Sequence, residues 1–267
     1  MSAEELLIER RPGVSIVTFN RPEARNAITP NIVKLLQAHL ESIEHDPSVR
    51  CVLLQGAGEH FMAGGDVKSF AETLTLTPEE RREKFAARVR NVAPLLKTLE
   101  RIPQIVVTAV KGACAGAAIG FVAGSDLTIA ARSAFFLLAQ INIAVSPDGS
   151  SSYWLPRAVG LKRAKEIALL GGRFSAEDAE RWGLVNRVLD DVDFDAAVEK
   201  LVKQVAMGPS TALGETKRLF NNSLNRTIDE QLEAEALSFS NCAKVPDFGE
   251  GLSAFIEKRR PKFGGVQ

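Results

Sequence analysis

Short apolar runs alternate with helical patterns along the first two-thirds of this chain, and few folds accommodate that alternation. Residues 49–55, with a Val-Leu-Leu run, read as a buried strand, and residues 105–110 and 127–131 read as strands as well. Between them the apolar period lengthens. Residues 30–44 place Ile32, Leu35, Leu36, Leu40 and Ile43 at helical spacing, with Thr29 set to cap the helix and Pro30 at its first position. A long helix is predicted over residues 78–101, a short helix of small residues over 116–123 and a further strand over 134–137. At the N-terminus, residues 6–10 and 14–20 form a predicted hairpin across Pro12-Gly13. Strands connected by helices imply an α/β core with parallel pairing.

From about Asp193 the character changes. Residues 194–207, 211–224, 228–243 and 249–259 are all helical patterns with no strand between them. The chain therefore divides into a core over residues 1–192 and a helical region over 193–267 that packs on the core or on a neighbouring subunit. A chain of 267 residues has room for a large core.

Charge removes several function classes. With 33 Lys plus Arg against 33 Asp plus Glu, spread along the whole length, no basic face is available for nucleic acid or an anionic membrane. Residues 109–131 are the best membrane-span candidate, but Lys111 and Asp126 interrupt them and the remaining stretch is shorter than the ~20 residues a bilayer requires. The first eleven residues lack the apolar stretch of a secretory signal, so a reducing cytoplasm is expected. Cys51, Cys114 and Cys242 lie far apart and form no metal-ligand spacing. His39 and His45, six residues apart on a predicted surface helix, share no face; no metal site is expected, and His60 is expected to be a solvated loop residue.

Three segments have the composition for chemistry. The first, Gly56-Ala-Gly-Glu-His-Phe-Met-Ala-Gly-Gly-Asp66, follows a strand and precedes a short helix, yet lacks the glycine pattern of a dinucleotide fingerprint and the Gly-Lys-Ser/Thr of a P-loop. It can expose the Gly65 amide, and it can equally be a plain turn with Asp66 as helix N-cap. The second, residues 110–120, again leads from a strand into a helix of small residues and can present another free amide. Two such amides converging on one point make an oxyanion hole; the alternative is tight helix packing. The third carries Asp148 at a turn before a helix. Asp148 is either a cap or a general base, its pKa raised by the apolar run at 135–145.

In this order the segments resemble the crotonase family, the enoyl-CoA hydratase and isomerase superfamily. Asn20-Arg-Pro-Glu-Ala-Arg-Asn-Ala27 is similar to the family's early turn, residues 61–66 to its first oxyanion segment, 109–126 to its second, and Phe255-Ile-Glu-Lys-Arg-Arg-Pro-Lys-Phe263 to its C-terminal helix. The resemblance implies an α/β fold, a crotonase-like spiral of ββα units with a helical C-terminal trimerisation region, and a homotrimer or dimer of trimers. It implies the amides of Gly65 and Ala117 as oxyanion donors to an acyl-CoA thioester. Coenzyme A, as part of that substrate and not as a separate cofactor, would run along Arg25, Ala27, Met62, Ala63, Gly64, Asp66, Val67 and Gly116. Phe255 and Lys258 would reach its nucleotide end from an adjoining subunit.

The sequence departs from the pattern of a two-glutamate hydratase, because the matching positions hold Gly120 and Gln140. Glycine offers no acid or base, and glutamine can position substrate or water but cannot take a proton. Asp148 remains, at a position where some isomerases of the family carry a catalytic aspartate, and its Ser-Pro-Asp-Gly turn is most similar to epoxyphenylacetyl-CoA isomerase-like members. The resemblance thus implies an acyl-CoA isomerase working through a thioester enolate. The alternatives are a weak hydratase using one carboxylate, or a homologue that binds acyl-CoA without turnover. Dehalogenases of the family also use an aspartate here, but pair it with a histidine, and none of the three is well placed.

Overall fold

The computed structural model describes residues 4–265. Strands β1 (Leu6–Arg11) and β2 (Gly13–Phe19) form the expected antiparallel hairpin, with Leu6 opposite Phe19 and Arg11 opposite Val14. Helix α1 (Pro30–Ile43) begins where Thr29 Oγ1 accepts the Ile32 amide at 3.1 Å, and β3 (Val49–Gly56) follows it. A short α2 (Val67–Ala71) precedes the long α3 (Pro78–Arg101). A capping box starts α3: Thr77 accepts the Glu80 amide while the Glu80 carboxylate accepts that of Thr77. Next come β4 (Ile105–Val110), β5 (Ala113–Ala115), α4 (Ala118–Gly124), β6 (Leu127–Ala131) and β7 (Phe135–Leu137). The chain continues through α5 (Ser151–Val159), α6 (Leu161–Leu170), β8 (Arg173–Ser175), α7 (Ala176–Arg181) and β9 (Arg187–Leu189). It ends in α8 (Asp191–Ala206), α9 (Ser210–Ser223), α10 (Ile228–Ala243) and α11 (Pro246–Ile256).

One sheet has the order β1-β2-β3-β4-β6-β9, parallel from β2 onward, and a second has the order β5-β7-β8. Strands β2, β3, β4 and β6 of the large sheet are buried on both faces, whereas the edge strand β1 is exposed. Val14, Ile16, Cys51, Leu53, Ile105, Val107 and Ile129 pack under α8 through Phe194, Val198, Val202 and Val205. Val17, Phe19, Val52, Leu54 and Val106 point the other way, into a core closed by α1, α3 and α4. Continuous apolar runs rather than alternating ones are what this two-sided burial requires.

The α/β expectation holds, and three local ones change. The predicted helix over 116–123 begins at Ala118, because Gly116 sits in the left-handed region at φ 58°, and an unpredicted strand, Ala113–Ala115, pairs with β7 just before it. His39 is buried rather than on a surface: its Nε2 lies 2.7 Å from Ser15 Oγ on β2. His60 is half-buried rather than free in solvent, and its Nδ1 accepts the Ala113 amide at 3.2 Å. Among the described residues no helix is long and apolar enough to cross a membrane.

Candidate active site

The first glycine-rich segment is held in place by the turn that precedes α1. Buried Asn26, in the left-handed region at φ 57°, donates from Nδ2 to the carbonyls of Ala57 (2.9 Å) and His60 (2.6 Å), while its Oδ1 accepts the Arg21 amide. The Ala63 amide donates to the Arg25 carbonyl at 2.9 Å and the Ile28 amide to that of Gly64 at 2.8 Å. Arg25 and Ala27 are thereby set beside Met62, Ala63 and Gly64, with Arg25 and Val67 exposed and Ala27, Met62 and Gly64 buried. Asp66 stands immediately before α2. Its carboxylate lies 3.4 Å from Arg21 Nη2, and its carbonyl accepts from the Ser69 amide and hydroxyl.

The second segment runs alongside the first. The Met62 amide donates to the Ala113 carbonyl and the Ala115 amide to that of Met62, a parallel bridge between Met62 and Cys114. Beyond it the backbones close together. Gly64 has φ +81°, and a Cβ there would stand 2.7 Å from the Ala115 carbonyl oxygen and 3.2 Å from both the Ala117 nitrogen and the Gly116 Cα. Only glycine allows this approach. Among the described residues, neither the Gly65 nor the Ala117 amide donates a hydrogen bond, so two free N–H groups flank the point where the segments meet. The Cys114 thiol in this segment is buried, which raises its pKa well above the ordinary value and keeps it protonated and inert.

Asp148 arrives from a third direction. Buried Gln140, in the 3₁₀ turn Ala139–Ile143, donates from Nε2 to Asp148 Oδ1 at 2.8 Å, and its own Oε1 has no partner among the described residues. The same Nε2 lies 4.0 Å from where a Cβ on Gly116 would stand. Asp148 therefore does not serve as a side-chain cap. The start of α5 is held by its main-chain carbonyl, which accepts from the Ser151 amide (3.1 Å) and hydroxyl (2.6 Å). The apolar pocket expected from residues 135–145 is also not found: Ile141, Ile143 and Val145 are exposed, and the half-buried carboxylate faces the Gln140 amide.

Two glycines bring this turn close. A Cβ on Gly149, whose φ is +62°, would stand 2.8 Å from Ala117 Cβ, and a Cβ on Gly120 would stand 1.7 Å from the Gly149 carbonyl oxygen. The turn that carries Asp148 thus lies directly on Ala117 and on the first turn of α4. No local signal marks Gly149 as a contact of this kind. No histidine joins the cluster, because His39 and His60 are committed elsewhere and His45 lies beyond the end of α1.

Phe255 and Lys258 are exposed at the end of α11, which packs on α10 and the 3₁₀ turn Phe263–Gly265. Among the described residues, no hydrogen bond, ion pair or ring contact joins either to the cluster at Gly65, Ala117 and Asp148. The helices around them leave much apolar surface uncovered: Phe220, Leu224, Phe239, Phe255 and Ile256 are 70% to 83% exposed.

Residues 9–266 match the family described as Enoyl-CoA hydratase/isomerase. The chain is 35% identical over 263 residues to the 1,2-epoxyphenylacetyl-CoA isomerase of Escherichia coli K12, covering 98% of this chain and 99% of that one. It is 30% identical over 258 residues to the 4-chlorobenzoyl coenzyme A dehalogenase-2 of an Arthrobacter species, covering 96% and 92%. Among solved structures it is similar to an enoyl-CoA hydratase of Mycobacterium smegmatis, with a TM-score of 0.87 and 32% identity over 97% of this chain and 99% of that one. The names of these three relatives give three different activities.

Proposed function

The chain belongs to the enoyl-CoA hydratase/isomerase family and has its crotonase fold, and from that premise we propose that it is an acyl-CoA isomerase with Asp148 as its proton carrier. The observation that carries this proposal is one carboxylate on the turn packed against Ala117, with free amides at Ala117 and Gly65 and no second acid or base at positions 120 and 140. The thioester carbonyl oxygen would accept from the Gly65 and Ala117 amides. As Asp148 takes a proton from the acyl chain, the electron pair moves onto that oxygen as an enolate; the amides stabilise it, each by about 2.7 to 4 kcal/mol. Return of the same proton to a different carbon completes the isomerisation with no other reactant.

Gln140 assists by occupying Oδ1 of the carboxylate, which leaves Oδ2 for the carbon acid. Hydration is a harder task for this site, since water must lose a proton while a carbon gains one, and only one group here can carry either. The unpartnered Gln140 Oε1 would nonetheless accept a water, which favours a weak single-carboxylate hydratase as the second candidate. Dehalogenation is disfavoured by the lack of a histidine beside Asp148.

In this proposal coenzyme A lies along Arg25, Ala27, Met62, Ala63, Gly64, Asp66, Val67 and Gly116. The exposed apolar side chains of α9 to α11 are covered by copies of the chain in a homotrimer or dimer of trimers, which brings Phe255 and Lys258 to the nucleotide end of a neighbouring site. Light scattering measures the assembly directly. For the chemistry, a panel of acyl-CoA thioesters is incubated and analysed by chromatography with mass spectrometry. Unchanged mass with altered retention is the expected result, and gain of one water at a comparable rate would overturn the isomerase assignment.

A further inference from the structure

Gly65 has a neighbour that neither the proton transfer nor the oxyanion donors use. A Cβ built on it would stand 3.3 Å from Phe70 Cζ and 3.6 Å from Arg88 Nη2, so the open side of this residue faces a ring from α2 and a guanidinium from α3. The arrangement is braced. Phe70 and Phe85 meet edge to face at 5.0 Å, the Arg88 guanidinium lies 4.6 Å from the centre of the Phe70 ring, and Arg88 Nη1 donates to Ser69 Oγ at 3.0 Å. Arg81 fixes the connection between the two helices by donating to the carbonyls of Thr73 (3.1 Å) and Leu76 (3.0 Å).

A guanidinium carries five N–H donors, and this one uses a single side-chain acceptor and forms no ion pair among the described residues. It is half-buried, so a ligand beside Gly65 removes more of its water. A plain alkyl chain there would strip donors of solvent and return nothing, which costs free energy. An anionic oxygen would restore the bonds in the bidentate geometry that a guanidinium favours. The phosphates of coenzyme A are not candidates for that oxygen, because the pantetheine arm separates them from the thioester.

We propose that Arg88 is the subsite for a carboxylate on the acyl group, so that the substrate is a monothioester of a dicarboxylic acid. This inference rests on the placement of the thioester carbonyl at Gly65 and Ala117. The test compares two 3-enoyl thioesters of equal length, one ending in carboxylate and one in methyl, with a phenyl-ended thioester as a third arm. The wild type should favour the carboxylate in kcat/KM by roughly tenfold or more, the size of one charge-assisted contact. In Arg88→Met that carboxylate-to-methyl ratio should fall by a similar factor, and Arg88→Lys should keep part of it.

Circular dichroism confirms that each variant is folded. A ratio unchanged in Arg88→Met would overturn the proposal and leave Arg88 as a brace between α2 and α3, as would a wild type preferring phenyl or methyl. If no thioester in the panel is isomerised, the proposed activity fails while the subsite is still measured. Calorimetric Kd values for saturated thioesters with the same three endings should then show the same carboxylate preference and its loss in Arg88→Met.

Discussion

Gly120→Ala tests how the Asp148 turn is positioned, because two opposing effects predict different signs. Alanine inside a helix is worth roughly 0.5 to 1 kcal/mol over glycine, so α4 by itself would gain stability. The structure opposes that gain. The new Cβ would stand 1.7 Å from the Gly149 carbonyl oxygen, 2.7 Å from its carbon and 3.0 Å from the Ser151 nitrogen, where ordinary contact begins at 3.4 Å. All three obstacles are backbone, so no side chain can rotate away. The separation of that Cβ from the oxygen would have to double, so the turn must move away from α4, and Asp148, bonded directly to Gly149, moves with it and strains its 2.8 Å bond to Gln140. A misplacement of about 1 Å can cost ~100-fold in rate, so kcat should fall by about that factor with KM little changed. Overpacking should lower stability by about 1 to 3 kcal/mol, outweighing the helix term. Isomerisation followed by chromatography gives the rate, and thermal unfolding gives the stability. A variant with wild-type kcat and an equal or higher Tm would refute the role given to this contact.

Asp148→Asn keeps the shape and removes the base, so turnover should fall ~100-fold or more with thioester affinity nearly unchanged; wild-type turnover would rule out Asp148 as the base. Lys258→Ala should raise KM and leave kcat almost intact, because a charge at the nucleotide end acts equally on ground and transition states; a loss confined to kcat would contradict that placement. Burial lowers the His39 pKa, so the unfolded chain takes up its proton first as the pH falls; stability that is present above about 6.5 should decline below it. Urea midpoints between pH 7.5 and 5.5 measure this, and a decline just as steep in His39→Gln would exclude His39 as the cause. Lys217 Nζ, buried 2.8 Å from Asp126 Oδ2, also donates to the Leu99 and Gln104 carbonyls, and burial pushes the Asp126 carboxyl up despite that cation. Lys217→Met should cost about 3 to 5 kcal/mol by denaturant unfolding, and Asp126→Asn added to it should recover much of the loss; no recovery would mean the uncompensated charge is not the cause.

Elements defined by their own sequence were legible. The two-sided apolar runs of β3, β4 and β6 and the Thr29 cap of α1 depend on residues within a few positions of one another, and there the prediction and the structure agree. Three-residue strands are different. Nothing within Ala113-Cys114-Ala115 distinguishes a strand from the start of a small-residue helix until Phe135–Leu137 arrives to pair with it. His39 was misplaced for the same reason, since a helical period gives the face of α1 but not the Ser15 hydroxyl it meets on β2. In the candidate site, residue types pointed to Gly65 and Asp148, and the family resemblance implied Ala117. The link between Gln140 and Asp148 runs through Ala144 in a left-handed conformation at φ 57°, which no alanine in a sequence announces. Arg88 lay on a long polar helix whose charged residues all look alike until α2 is folded against it.

The glycine at 120 and the aspartate at 148 are best understood as one structural choice. Restoring a glutamate at 120, where the resemblance places one in a two-glutamate hydratase, meets the Gly149 carbonyl at 1.7 Å, an overlap far beyond what rotamer adjustment relieves. A side chain at 120 and the present course of the Asp148 turn therefore exclude each other. Under the proposed mechanism, a glutamate at 120 would push this turn away from Ala117 and Asp148 away from the thioester, whereas glycine lets both approach. In that proposal the absence of a second acid at 120 and the approach of Asp148 would share one cause, the missing Cβ. The same overlap predicts that Gly120→Glu with Gln140→Glu will not create a hydratase unless the turn at 146–150 is rebuilt as well, so that hydration of a short 2-enoyl thioester by the double variant alone would show that the two positions vary independently.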